Sequence, residues 1–270
     1  MKQKSINILG VRIDCIQKKD VLAKIYNLIL NKKYNNALIC TVNPSFILKA
    51  CNDMGFSNIL NTISKINTAD GVGVQIAAEY VSLLKHNDTV LQKLYLGIKT
   101  GLMHTFGKKE FNIIHDKITG VYLTHNLLEY CASNYFKVLI LHKKNSLISV
   151  RDLSILLKSK YPNLVFQIQM VEYKRRLGVI NNTYSVVLCT LGEVMQEKFF
   201  YKNRNHFKCN VYIGIGGAFD VIRSSITSLS FFEKIGISWF VRLILNPKRI
   251  KKVFNSVFVF SWKVFISSNT

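Results

Sequence analysis

The stretch "INTADGVGVQIAAEY", residues 66–80, sets one carboxylate, Asp70, between a short apolar run and a segment of helical character. Three chemistries suit that placement. A carboxylate just before a helix is an N-cap, accepting bonds from the first backbone N–H groups. Capping lowers its pKa and weakens it as a base. A base in a concerted displacement nevertheless needs only to take a proton late, in the right geometry. Gly71 and Gly73 allow a ligand, such as a phosphate, close to the backbone. The residues alone favour the cap. D-G-x-G is not the dinucleotide fingerprint, so a nicotinamide or flavin reading is weak.

Three further segments carry polar groups at apolar-run ends. "CTVNPSF" (40–46) offers Thr41 and Asn43, which suit hydrogen bonding to a sugar or nucleobase and equally suit ordinary turn chemistry before Pro44. "TLGEVMQEKFF" (190–200) ends a strand at Gly192 and places Gln196 and Glu197 in a first helical turn, as ligand contacts or as a cap and a solvated side chain. "IGIGGAFDVI" (213–222) puts Gly216 and Gly217 in a strand-to-loop turn, which either presents N–H groups to a phosphate or is simply tight. The sequence has no D-x-D, GxxxxGK[ST], H-E-x-x-H, G-x-S-x-G or zinc-spaced His/Cys set, so neither a metal site nor a cofactor is expected.

The elements that must position these groups follow from periodicity. "INILGVRIDCI" (6–16) predicts a hairpin turning at Gly10, and Asp20 is the expected cap of a helix over 21–32. "ALICTV" (37–42) predicts a buried strand, and Pro44 opens a helix. Residues 72–84 predict another helix. From 85 to 115 no convincing period appears, and an insertion, partly helical, is expected. Strands are then predicted at 137–142, 164–170, 185–191 and 210–216, with helices at 146–159 and 193–204. This alternation implies an α/β fold: a Rossmann-like, mostly parallel sheet with helices on both faces. Ligands in such folds bind beyond the carboxyl ends of the strands, where Asp70, Thr41, Asn43, Gly192 and Gly216 would lie.

The chain has 270 residues, 49% of them hydrophobic, enough for a sizeable core. A formal charge of +22 implies an anionic partner: nucleic acid, phosphorylated substrate or acidic membrane. Six scattered cysteines form no C-x-x-C pair, and Cys40 and Cys189 sit in apolar runs as core thiols; a reducing compartment is expected. Neither a signal peptide nor a membrane-spanning run is evident. Residues 236–266 mix two tryptophans and several phenylalanines with Arg242, Lys248, Arg249, Lys251, Lys252 and Lys263, and hold no acid. That composition suits a membrane interface, with a basic helix packed on the core as the blander reading. A core over 1–222 and a membrane-proximal helical appendage over 223–270 are therefore expected.

Six segments in order, "CTVNPSF", "NTADGVGV", "KITGVYL", "TLGEVMQE", "GIGGAFDV" and "GISWFVRLILNPKRIKK", resemble the WecG/TagA/CpsF family of bacterial glycosyltransferases over nearly the whole chain. The resemblance implies an inverting, metal-independent transferase. It would move an N-acetylmannosamine-type sugar, its uronic acid or glucose from a UDP-sugar to a polyprenyl-diphosphate-linked sugar, working peripherally at the cytoplasmic face of the cell membrane. It makes Asp70 the base and assigns substrate binding to Thr41, Asn43 and Gln196, with Arg242 and Arg249 reaching the diphosphate. Lys117 stands where the family has Arg, Tyr122 where it has Asp, Val194 where it has Pro, and Ser238 where it has Glu. Gly71, Glu197, Gly216 and Gly217 complete the candidate binding set. The departures favour one rival, a family member that binds without turnover. Charge alone suggests another, a nucleic-acid-binding protein, but no recognisable nucleic-acid module is present and nucleic acid is not the expected partner. The sequence leaves homo-oligomerisation open.

Overall fold

The computed structural model describes residues 4–31, 33–105, 110–223 and 254–267. The chain opens on the expected hairpin, β1 (Ser5–Ile8) and β2 (Val11–Asp14), antiparallel. Leu9 and Gly10 take positive φ values of 51° and 79°, the backbone handedness that matches strand twist in a two-residue turn. Next comes α1 (Lys18–Leu30). Asp20 is not its cap. Gln17 holds the N-cap position without a side-chain bond, and Asp116, distant in sequence, accepts the Lys18 N–H at 2.8 Å. Asp20 instead lies in the first turn, where a negative charge suits the helix dipole.

Six strands form the main sheet: β3 (Ala37–Val42), β4 (Ile66–Ala69), β5 (Lys137–Lys143), β6 (Val165–Val171), β7 (Thr183–Cys189) and β8 (Lys208–Gly214). Their order is β4-β3-β8-β7-β5-β6 and every neighbouring pair is parallel. All six β3 residues are buried, as a continuous apolar run in a covered parallel sheet requires. The hairpin closes on the β4 edge: Asp14 accepts the Asn67 N–H at 2.7 Å, and the Asn67 amide donates to Arg12 O at 2.9 Å. Burial raises the Asp14 pKa, against the lowering effects of that bond and of Arg12.

Between β3 and β4 run α2 (Pro44–Cys51), α3 (Met54–Asn58) and a π-helical turn, Ile59–Ile63. Between β4 and β5 run α4 (Val72–Leu83), α5 (Val90–Thr105) and α6 (Gly120–Ser133). The later connections carry α7 (Val150–Lys160) and α8 (Met195–Asn203), and α9 (Ala218–Arg223) comes after β8. A π-helical turn, Asn255–Val259, leads into α10 (Phe260–Ser267). Two apolar clusters fill the two sides of the sheet. One joins Leu38, Cys40 and Val42 to Phe46, Phe56, Val74, Phe199 and Phe260. The other joins Ile39, Val211 and Ile213 to Val21, Leu123, Leu127, Leu153 and Phe219. Helices therefore cover both faces, as expected.

Differences from the sequence reading are local. The aperiodic stretch 85–115 contains a regular helix, α5, of 16 residues. The helix α6 has no counterpart among the expected elements, although Leu123, Leu127, Leu128 and Cys131 mark its buried stripe. The helix expected from 146 begins at 150, where Ser149 accepts the Asp152 N–H at 3.1 Å. All six cysteines are free, and Cys40 and Cys189 are fully buried core thiols.

Candidate active site

The carboxyl ends of β3 and β4 sit side by side, with Thr41 opposite Thr68 and Val42 opposite Ala69. The Asp70 N–H donates to Val42 O at 2.8 Å, continuing the ladder one residue past the strand. Asp70 is half-buried there. It is not at the N-cap position of α4. Gly71 is, with φ 125° and ψ 145°, a conformation open to glycine and strained for any other residue. Asn43 is the N-cap of α2, its side-chain oxygen accepting the Phe46 N–H at 3.0 Å. The turn-chemistry reading of Asn43 thus holds for that oxygen. Pro44 occupies the first helical turn, where its missing N–H costs nothing.

A third helix start reaches the same place. Ile118 N–H donates to Ala69 O at 2.9 Å, and Thr68 Oγ1 donates to Ile118 O at 3.3 Å, so residues 117–119 run beside the end of β4. Lys117 is half-buried on this segment. Thr119 caps α6 by accepting the Tyr122 N–H at 3.1 Å. A Cβ on Gly120 would lie 3.5 Å from the Thr41 hydroxyl and 3.9 Å from Ile215 O, which brings the start of α6 against both β3 and the β8 exit. The N-termini of α2, α4 and α6 therefore gather around Thr41 and Asp70. Helix N-termini carry partial positive charge and unpaired N–H groups, and so favour anions.

The supports of this arrangement lie in α4 and α8. Buried Glu79 accepts the N–H groups of Asn112 and of Ile113, the latter at 2.7 Å, and the Gln75 amide donates to Ile114 O at 2.9 Å. Together they pin the segment that returns from α5 to Lys117. On the other side Gln196 is buried: its Oε1 accepts the Gly216 N–H at 3.0 Å and its Nε2 donates to Glu197 at 2.8 Å. Gly214 makes room for it, since a Cβ there would fall 2.2 Å from Gln196 Nε2. Glu197 is 1% exposed, and its carboxylate accepts from the Gln196 amide. Burial pushes its pKa up to about 7, against the Gln196 bond.

The sequence candidates thus fall into three groups. Thr41, Asn43, Asp70, Gly71 and Lys117 come together at the β3 and β4 exits. Gln196, Glu197 and Gly216 form a buried brace beneath the neighbouring β8 exit. Within that glycine turn the Gly216 and Ala218 N–H groups bond to Gln196 and Ile215 O, so neither reaches outward to a phosphate; Gly217 is exposed. Arg242 and Arg249 lie outside the described residues. The sequence reading missed Gln75, Glu79 and Gly214. Gln75 and Glu79 lie four residues apart on one helix face that meets the returning chain, a signal present in "VQIAAEY".

The chain matches the Glycosyl transferase WecG/TagA/CpsF family over residues 6–90 and 103–270. It belongs to that family. It is therefore a glycosyltransferase. Three similar proteins are the N-acetylglucosaminyldiphosphoundecaprenol N-acetyl-beta-D-mannosaminyltransferases of Staphylococcus aureus strains NCTC 8325 / PS 47, COL and MRSA252. Each is 24% identical over 267 residues, spanning 96% of this chain and 91% of the relative. Residues 91–102, which lie inside α5, fall between the two matched ranges of the family. Among the described residues no helix is long and apolar enough to cross a membrane.

Proposed function

We propose that this transferase moves an N-acetylmannosamine-type sugar from a UDP-sugar to a polyprenyl-diphosphate-linked N-acetylglucosamine, in cell-surface polysaccharide synthesis at the inner face of the membrane. The observation that carries the reading is Asp70 at the β4 exit, among the N-termini of three helices. The substrate named for the staphylococcal relatives supports the lipid-linked acceptor. Asp70 takes the proton of the acceptor hydroxyl as that oxygen attacks the anomeric carbon. The bond from that carbon to the donor phosphate breaks, and UDP leaves on the opposite face with the electron pair. An α-linked donor then gives a β-linked product.

Charge developing on the leaving diphosphate needs fixed positive groups. The helix N-termini supply part of it without a metal, in keeping with a sequence that lacks D-x-D. Lys117, Arg242 and Arg249 supply the rest. Thr41 and Asn43 orient the sugar, while Gln196 and Glu197 brace the β8 turn from below.

The test is turnover of a UDP-sugar panel with lipid-diphosphate-linked N-acetylglucosamine, with and without chelator. Asp70→Asn is expected to lower transfer by about 10²–10⁴-fold, the usual contribution of a positioned base, with folding and UDP binding retained. Near-full turnover by Asp70→Asn removes the base assignment. Loss of activity on chelation, restored by magnesium or manganese, overturns the metal-free mechanism.

A further inference from the structure

The helix that the family match leaves out packs the wrong way round for a soluble surface helix. Its inward side is narrow: Leu96 packs against the core cluster, Gly97 lies against the Tyr80 ring, and Thr100 is buried. Its outward side carries Leu91, Leu94, Tyr95, Ile98 and Leu102, at spacings of three and four that form one stripe, with Leu91 78% and Tyr95 64% exposed. Hydrophobic patterning normally turns such a stripe inward. All five residues fall within 91–102, so they belong to none of the matched family segments. Beside it, α10 touches α5, and α10 with the π-helical turn before it exposes Phe254, Phe258, Trp262 and Ile266 at four-residue spacing.

We propose that α5 is a second membrane-docking element, lying in the headgroup region of an anionic bilayer with its apolar stripe inserted alongside that of α10. Charge selects this occupant. No acidic residue lies between Asp88 and Glu110, while Lys93, Lys99, Lys108 and Lys109 do. Lys99 is exposed and sits 5.7 Å from the centre of the Tyr95 ring, at the border of the stripe. An apolar face edged by lysines and a tyrosine is the pattern of an interfacial helix. A second copy of the chain fits less well, because a twofold contact through the stripe would bring two lysine-bordered faces together with no acidic residue between 89 and 109 to pair with them. This element goes beyond the transferase reading and can be tested without sugars.

The experiment is flotation of the full chain with vesicles of phosphatidylglycerol and phosphatidylcholine, or of phosphatidylcholine alone. The wild type is expected to float with the anionic vesicles and to release as salt rises. The Leu94→Gln/Ile98→Gln/Leu102→Gln variant is expected to partition at least tenfold more weakly, with an unchanged unfolding midpoint. If it fails to fold, the pair Leu91→Ser/Tyr95→Ser, at the two most exposed positions of the stripe, carries the same test. Equal flotation of a folded variant and the wild type overturns the proposal. So does a wild-type dimer that the substitutions dissociate while vesicle binding stays the same. Because the vesicles carry no acceptor, failure here leaves the transfer chemistry standing, and failed transfer leaves the docking claim standing.

Discussion

Gly71 determines where the Asp70 carboxylate stands. Its φ of 125° and ψ of 145° turn the chain from β4 into α4 in a single residue, and a Cβ added there would meet nothing closer than Pro44 Cδ at 3.9 Å. Gly71→Ala therefore acts through backbone strain of about 1–3 kcal/mol rather than through a clash. Urea unfolding is expected to show that loss, and transfer is expected to fall further than stability does, since the strain is relieved by moving Asp70. Glu197 behaves differently. Its folded pKa of about 7 lies above the ordinary value of 4.5, so the folded state holds the proton more tightly than the unfolded chain. Its contribution to stability is full below 4.5 and is lost as pH rises to about 7, by on the order of 3 kcal/mol for a fully buried group. Glu197→Gln is expected to flatten that decline between pH 4.5 and 7 in urea titrations; an unchanged slope assigns the effect to another group. At this scale the sequence was most legible where a residue stood at a strand end, as with Thr41 and Asp70. It was least legible where a buried side chain met a partner remote in sequence. Nothing local in "VYIGIGG" says that Gly214, and not only Gly216, is needed because Gln196 lies over it.

Elements were legible in proportion to their period. Most of the six strands were readable as apolar runs because a parallel sheet covered on both faces buries nearly every strand residue, as in β3. The short β4, "INTA", is recognisable mainly by the Asp70-Gly71 turn at its end. The helix α6 is hard to read because its stripe begins only at Leu123, after a polar and glycine-bearing start, "KITG". The helix α5 is harder to read for a different reason: Leu91, Leu94, Tyr95, Ile98 and Leu102 do recur at three and four residues, but Leu96 on the other side and the glycines at 97 and 101 blur the contrast between its faces. The return from α5 to the site depends on Glu79, whose carboxylate accepts two successive backbone N–H groups. Removing a buried acceptor leaves those donors unpaired, a cost of about 1–3 kcal/mol. Glu79→Ala is expected to lower stability by that amount. It is also expected to speed hydrogen exchange at Asn112 and Ile113 and to weaken donor binding through Lys117. Glu79→Gln, which keeps one acceptor oxygen, is expected to recover part of the protection. Unchanged exchange at both amides in the alanine variant refutes this link.

For the whole molecule, the question is how a chain of charge +22 divides its C-terminal segment between core and surface. Within the expected appendage, among the described residues 254–267, Phe260 and Val264 are buried in the cluster that also holds Phe46 and Val74, and α10 touches α2 and α4 as well as α5. The Ser256 carbonyl lies 4.0 Å from where a Gly73 Cβ would be, so the segment also reaches the start of α4 near Asp70. The packed-helix reading thus holds for Phe260 and Val264, and the proposed interface reading concerns the exposed side that carries Phe258 and Trp262. This separates two kinds of substitution. Phe260→Ala opens a cavity in the core and is expected to cost about 3–5 kcal/mol, with vesicle binding per folded molecule little changed. Phe258→Ala and Trp262→Ala remove side chains that are each 61% exposed, and are expected to change stability by no more than about 0.5 kcal/mol while weakening binding to anionic vesicles severalfold. Cutting the chain after residue 253 would combine the two effects and make lost binding indistinguishable from lost folding, so the point variants carry the argument. Urea unfolding and vesicle flotation on the same three proteins decide it. If Phe260→Ala leaves stability intact, α10 is not part of the core. If Phe258→Ala and Trp262→Ala bind vesicles as the wild type does, the exposed aromatic side of the 254–267 segment does not face lipid, and the positive charge must find its anionic partner elsewhere on the molecule.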